Sequence, residues 1–155
     1  MTGFAPARVV RIFPFTRSAR KGAQPPPPVP EWKGAGRVIV VDDQDDVRNL
    51  ITHSVERLGF TVEATGDGRT ALSCFESDPS RVSLVIVDIV LPGMDGIELV
   101  RRLRLIRRDV PVVVISGYFG QDTGERLRAQ PATGFLQKPF KPDALFSEMR
   151  GVLGC

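Results

Sequence analysis

The sequence predicts a doubly wound α/β fold, a parallel sheet with helices on both faces. Three observations lead there. Unbroken apolar, mostly β-branched runs recur at Val38-Ile39-Val40-Val41, Leu84-Val85-Ile86-Val87 and Val112-Val113-Val114-Ile115, the pattern of strands buried on both faces. Amphipathic helical stretches alternate with them. The connections are short, and with right-handed crossovers that favours one parallel sheet.

The chain has 155 residues, enough for one domain plus an extension. Residues 1–36 carry six basic groups against one acidic, while residues 37–155 are net −2, so the high pI belongs to the extension. Its arginines are scattered, which reads as a solvated linker rather than a nucleic-acid or lipid contact. Ala7 to Phe15 reads as a short strand stopped by Pro14. Gln24 to Pro30 is a proline-rich, semi-rigid spacer. Gly34-Ala35-Gly36 then frees the chain, so the boundary falls between residues 1–36 and a globular domain of residues 37–155.

Within the domain, Arg37–Val41 is a strand ending at Asp42 and Asp43. The following helix has Asp45 and Asp46 in its first turn, where they favour the dipole. Val47, Leu50, Ile51, Val55 and Leu58 form its apolar stripe, and Gly59 closes it. Phe60–Ala64 is a second strand. Asp67–Phe75 is a helix with Ala71, Leu72 and Phe75 inward. Val82–Asp88 is the third strand, followed by a turn at Leu91-Pro92-Gly93, with Asp95 capping a helix to Ile106. Val110–Ser116 is the fourth strand, and a weaker helix covers Asp122–Ala129. Gly134–Gln137 is the fifth strand, and Asp143–Val152 the last helix. Phe119, Phe140 and Phe146 read as core or interface fillers.

Several function classes are excluded. No apolar run approaches the roughly 20 residues of a membrane span. The arginine-bearing N-terminus lacks a signal-peptide core. Cys74 and Cys155 form neither a disulfide framework nor a metal spacing, which fits a cytoplasmic setting. No phosphate-binding G-x-x-x-x-G-K-[ST] loop is present. His53 falls off the apolar stripe of its helix and reads as solvated. Arg101-Arg102 and Arg107-Arg108 read first as a solvated helix face and second as a docking patch.

The strand exits carry the chemistry. In a parallel sheet the carboxyl ends of the strands share one edge, where ligands bind. That edge receives Asp42 and Asp43, then Asp88, Ser116 and Lys138. Three carboxylates brought together repel one another and call for a cation. An all-oxygen donor set suits Mg²⁺, with Mn²⁺ as a substitute. A hydroxyl and an ammonium opposite the cation suit the oxygens of a tetrahedral anion.

Val40-Val41-Asp42-Asp43, Asp88-Ile89-Val90-Leu91-Pro92-Gly93-Met94-Asp95-Gly96, Ser116-Gly117 and Lys138-Pro139-Phe140, in that order, resemble the receiver domain of two-component response regulators. The resemblance covers about Arg37 to Leu153. It implies the flavodoxin-like strand order 2-1-3-4-5, and phosphoryl transfer from phosphohistidine to Asp88. It further implies Mg²⁺ held by Asp42, Asp43, Asp88 and the backbone carbonyl of Val90. Ser116 and Lys138 would contact phosphoryl oxygens, and the Lys138-Pro139 peptide would be cis. Ser116 and Phe135 would act as switch residues, altering a protein-binding face made by the fourth helix, fifth strand and fifth helix.

The implied partners are a histidine kinase or phosphotransfer protein, a downstream protein target, or a second copy in a homodimer. Direct DNA binding is not expected, because no helix-turn-helix follows. The chain reads as a phosphoacceptor that assists its own phosphorylation and dephosphorylation, not as an enzyme turning over a substrate. Val90 and Tyr118, two residues beyond Asp88 and Ser116, are expected to tune the lifetime of the phosphoryl group. Ser116-Gly117-Tyr118 and Gly134 to Phe140 look like the C-terminal receivers of hybrid histidine kinases. A phosphorylation-independent scaffold of the same fold is the alternative, and the intact acidic cluster with Lys138 speaks against it.

Overall fold

The computed structural model describes residues 31–118 and 120–154. The expected strand at Ala7 to Phe15, the proline spacer, Phe119 and Cys155 lie outside them. Five strands, β1 (Arg37–Val41), β2 (Thr61–Thr65), β3 (Val82–Asp88), β4 (Val112–Ser116) and β5 (Thr133–Gln137), alternate with five helices. The helices are α1 (Asp45–Arg57), α2 (Gly68–Ser77), α3 (Gly96–Ile106), α4 (Gln121–Arg128) and α5 (Pro142–Leu153). Every strand pair is parallel, in the flavodoxin-like order β2-β1-β3-β4-β5. None of the described helices is long and apolar enough to cross a membrane.

The unbroken apolar runs are explained by a core on each face. Alternate side chains point to opposite sides of a strand. Val38 and Val40 of β1 pack with Ile51 and Val55 of α1 and with Leu145 and Met149 of α5. Ile39 and Val41 pack with Ala71 and Phe75 of α2 and with Leu99 and Leu103 of α3. Each such fully buried Val, Ile, Leu, Phe or Met side chain contributes about 1.5–3 kcal/mol relative to exposure. The edge strands β2 and β5 are less buried, so their sequences are correspondingly mixed.

Two differences from the sequence expectation have local causes. Leu50, assigned to the buried stripe of α1, is 41% exposed. Ser54 is buried in its stead, since its hydroxyl donates to the Leu50 carbonyl at 2.8 Å and needs no solvent partner. β4 begins at Val112 rather than Val110 because Pro111 has no N–H to give the ladder.

The extension also docks earlier than its glycines indicate. Trp32 meets Phe60 edge-on at 6.3 Å between ring centroids, and the Gly34 amide donates to the Leu58 carbonyl at 2.9 Å. A side chain at Gly34 would overlap the Phe60 ring, with 1.9 Å to its nearest atom. These contacts lie at the amino ends of the strands, opposite the edge that receives the acidic residues.

β1 and β3 are neighbours although β2 lies between them in sequence. The crossover therefore reverses direction at β1/β3. In doubly wound sheets that switch point opens a crevice beyond the strand ends, and it is there that Asp42, Asp43 and Asp88 emerge.

Candidate functional site

Asp42 follows β1 directly and is fully buried. Its Oδ1 accepts from the Gln44 amide at 2.8 Å. Its Oδ2 lies 3.1 Å from Lys138 Nζ but makes no hydrogen bond. Burial pushes its carboxyl above the usual range, against the pull of the Gln44 amide and the Lys138 ammonium. Asp43, next in the chain, is exposed.

Asp88 ends β3 and is 5% exposed. Its Oδ1 accepts from the Val90 amide at 3.0 Å, which fixes the turn after the strand, and its Oδ2 accepts from Lys138 Nζ at 2.7 Å. Gly96 lets α3 start against this exit: its amide donates to the Ile89 carbonyl at 2.8 Å. A Cβ there would come within 2.2 Å of the Asp88 carbonyl oxygen, so no other residue fits without moving backbone.

Carboxylate oxygens of Asp42, Asp43 and Asp88 all lie within 4.8 Å of one another. Asp43, Gln44, Asp88, Val90, Gly117 and Lys138 line an open cavity of about 450 Å³ beside them. Lys138 reaches it from the end of β5, where its backbone amide donates to the Ser116 carbonyl at 2.8 Å. The Lys138-Pro139 peptide is cis. Burial lowers the ammonium's proton affinity, but its hydrogen bond to Asp88 and its attraction to the Asp42 carboxylate outweigh that and leave it raised. One ammonium thus pairs with two of the three clustered carboxylates, Asp42 and Asp88.

Of the other sequence-identified residues, Val90 lines this cavity, whereas Ser116, Tyr118 and Phe135 are not among its lining residues. Ser116 is buried, with its hydroxyl donating to the Tyr118 carbonyl at 2.8 Å and accepting from the Tyr118 amide at 3.1 Å. The Val90 side chain is 70% exposed and Tyr118 is 79% exposed. Phe135 lies under the Arg128 guanidinium, 5.1 Å from its ring centroid, and its amide donates to Glu148 Oε2 at 3.1 Å. His53 is exposed.

Two residues escaped the sequence reading. Arg48 donates to the Asp42 carbonyl at 2.8 Å and to Asp45 Oδ1 at 2.6 Å, bracing the acidic turn. Gln44 Oε1 accepts from Lys138 Nζ at 2.6 Å. Nothing in the spacing announces Arg48. Gln44 did carry a signal, as a residue of low capping preference at a helix start.

The response regulator receiver domain family matches residues 38–150. The chain is 33% identical over 123 residues to the sensor kinase CckA of Brucella abortus, covering 79% of this chain and 13% of the kinase. It is 35% identical over 119 residues to the response regulator MprA of Mycolicibacterium vanbaalenii, covering 76% of this chain and 50% of MprA. The chain therefore spans half or less of these relatives. Among solved structures, the Vibrio cholerae chemotaxis protein CheY4 superposes with a TM-score of 0.70 at 30% identity, covering 77% of this chain and 100% of CheY4. The receiver domain of the hybrid histidine kinase CckA superposes with a TM-score of 0.64 at 30% identity, covering 76% of this chain and 99% of that domain.

Proposed function

The chain belongs to the response regulator receiver domain family, and on that basis we propose that it is the phosphoacceptor of a two-component phosphorelay, taking a phosphoryl group from a phosphohistidine onto Asp88. One observation carries the reading. Asp88 Oδ2, held 2.7 Å from the Lys138 ammonium, faces an open cavity beside two further carboxylates.

An Asp88 oxygen bonds to phosphorus as the bond from phosphorus to the imidazole nitrogen breaks. The imidazole leaves with the electron pair, and positioning of the in-line groups supplies most of the catalysis. Three clustered carboxylates offer an all-oxygen donor set, and the buried Asp42 Oδ2 lacks a hydrogen bond. Both features fit Mg²⁺ or Mn²⁺. Asp42, Asp43, Asp88 and the carbonyl of Val90 would hold the ion, which when bound offsets negative charge on phosphoryl oxygens. Lys138 would neutralise a further oxygen.

The signal would leave through Ser116 and Phe135. The Ser116 hydroxyl exchanges its bonds to the Tyr118 backbone for a phosphoryl oxygen. The β4–α4 loop follows, and the Phe135 ring moves relative to Arg128. The face of α4, β5 and α5 is thereby offered to a protein target or a second copy. A population shift of this kind needs the phosphoryl group to bind one state better than the other. Similarity to both a sensor kinase and a response regulator fits a donor histidine in the same polypeptide or in a separate protein.

The test is intact mass after incubation with acetyl phosphate and Mg²⁺. The wild type is expected to gain one phosphoryl group and Asp88→Asn none. Equal labelling of the two proteins would refute Asp88 as the acceptor, and no labelling of either would favour the scaffold reading.

A further inference from the structure

We propose that Gln44 is a positioning residue for Lys138, the neutral anchor that keeps its ammonium at the phosphoryl site while its bond to Asp88 is given up. The inference rests on the reading of Asp88 as phosphoacceptor.

Gln44 stands at the N-cap of α1, yet its side chain makes no capping bond. Ser, Thr, Asp or Asn would be favoured there, because a short side-chain oxygen reaches back to the amides of the first turn. Two acidic residues in the first turn, Asp45 and Asp46, serve the helix dipole instead. The Gln44 side chain crosses the sheet edge, and Oε1 accepts from Lys138 Nζ at 2.6 Å across a separation of 94 residues. Its backbone is pinned to the acidic turn: the amide donates to Asp42 Oδ1 at 2.8 Å, and the carbonyl accepts from the Arg48 amide at 2.9 Å. A local preference is thus set aside for a long-range contact, the usual mark of a functional constraint.

The need follows from donor arithmetic. An ammonium has three N–H groups. Lys138 donates to Asp88 Oδ2 at 2.7 Å and to Gln44 Oε1 at 2.6 Å, while Asp42 Oδ2 lies 3.1 Å from Nζ as an ion pair without a hydrogen bond. When an Asp88 oxygen bonds to phosphorus, its charge passes to the phosphoryl group, and the ammonium must exchange Asp88 for a phosphoryl oxygen. Asp42 is a shared partner, since the same carboxylate is offered to the cation. Gln44 is the acceptor with no second task. As an amide, it holds the ammonium without adding a fourth negative charge to three carboxylates already together.

Two substitutions separate positioning from capping. Gln44→Met keeps the length and removes the acceptor. Gln44→Ser improves the cap but cannot reach Lys138. Phosphorylation by acetyl phosphate, in which the phosphorus–oxygen bond to the departing acetate breaks, is followed at saturating Mg²⁺. Both variants are expected to be slower by about tenfold, the rate equivalent of one charge-assisted hydrogen bond. The serine variant should nonetheless melt at or above the wild-type temperature. Calorimetry should show Mg²⁺ affinity within about twofold of wild type, and weakened binding of fluoroberyllate, a tetrahedral phosphoryl mimic.

Wild-type rates in both variants would overturn the inference. So would a serine variant that is fast beside a slow methionine variant, since that reduces Gln44 to a helix cap. Asp88→Asn is run alongside. If it accepts phosphoryl as the wild type does, the phosphoacceptor reading has failed. If it does not, and the Gln44 variants behave as wild type, the failure belongs to Gln44 alone.

Discussion

At the scale of residues, the site is an electrostatic conflict held in place by backbone. Asp42 and Asp88 are buried and pair with the Lys138 ammonium, and Asp43 joins the two carboxylates. Without a further cation the group retains net negative charge, which costs stability. Replacing Asp43 by Asn should therefore raise the melting temperature in chelator by roughly 2–4 °C, the equivalent of about 0.5–1 kcal/mol. Added Mg²⁺ should raise the wild-type melting temperature in proportion to the logarithm of its concentration and leave the variant nearly unchanged. An Asp43→Asn protein with the same Mg²⁺ response as wild type would remove Asp43 from the ligand set. A second residue-scale expectation concerns Val90, which lines the cavity, and Tyr118, whose exposed side chain lies two residues beyond Ser116. Neither offers a carboxylate or amide to orient an attacking water. The double substitution Val90→Asn, Tyr118→Glu should speed loss of the phosphoryl group after the donor is removed, without preventing its uptake. Decay that is unchanged or slower would show that water access at these positions does not set the lifetime.

At the scale of elements, what the sequence disclosed depended on burial. The strands β1, β3 and β4 are apolar on both faces, and their ends deliver Asp42, Asp88 and Ser116 to the expected edge. The edge strands are mixed, and β2, read from the sequence as Phe60–Ala64, runs one residue later, at Thr61–Thr65. The roles of side chains that leave their own element were not legible: Gln44 reaching β5, Arg48 bracing β1, and Ser116 turning to the Tyr118 backbone. Such contacts depend on rotamers and neighbours that no periodicity records. α3 shows a local motif put to a different use. Asp95 caps it by accepting from the Glu98 amide at 2.8 Å. The Glu98 carboxylate does not close a reciprocal capping box but receives Arg101 at 2.6 Å and Arg102 at 2.8 Å. The hydrogen bonds from these two arginines lower its pKa from 4.5 to about 2. A depressed carboxyl stabilises the fold above its unfolded pKa and ceases to do so as pH falls through the folded value. The melting-temperature difference between wild type and Glu98→Gln should accordingly be full above pH 5, shrink from about 4.5 downward, and close near about 2. A difference that persists unchanged to the acid end would mean that the arginines hold Glu98 without preferring its ionised form. Because the cluster is exposed, added salt should diminish the effect at every pH.

At the scale of the whole molecule, the two ends of the sheet do different work. The carboxyl ends hold the acidic cluster. The amino ends hold the entering chain, through the Gly34 amide on Leu58, the Thr61 amide on the Gly36 carbonyl, and the Ser83 hydroxyl on the Ala35 carbonyl. Glycines at 34 and 36 looked like a free hinge, and this was misread for a physical reason. Gly34 is needed because the Phe60 ring occupies the space a side chain would take, and Gly36 because its φ is +107°. If residues 37–155 are the receiver and residues 1–36 its extension, the last part of the extension belongs mechanically to the domain. Trp32 is the anchor, packed on Phe60 and the α1/α5 side of the core. Its Nε1 is buried with no hydrogen-bond partner among the described residues. The ring's apolar area therefore provides the stabilisation, and the indole N–H subtracts from it. Trp32→Ala should cost about 2 kcal/mol, or roughly 8 °C in melting temperature for a domain of this size. Trp32→Phe should cost far less, since it gives up no hydrogen bond and relieves a buried donor. Neither should change the rate of phosphorylation by acetyl phosphate, because the sheet's full length separates Trp32 from Asp88. Thermal melts of the two variants, paired with that rate, check all three expectations. A phenylalanine variant as unstable as the alanine variant would mean that the indole N–H has a partner after all, and a change in rate would mean that the entering chain is coupled to the acidic edge through the core.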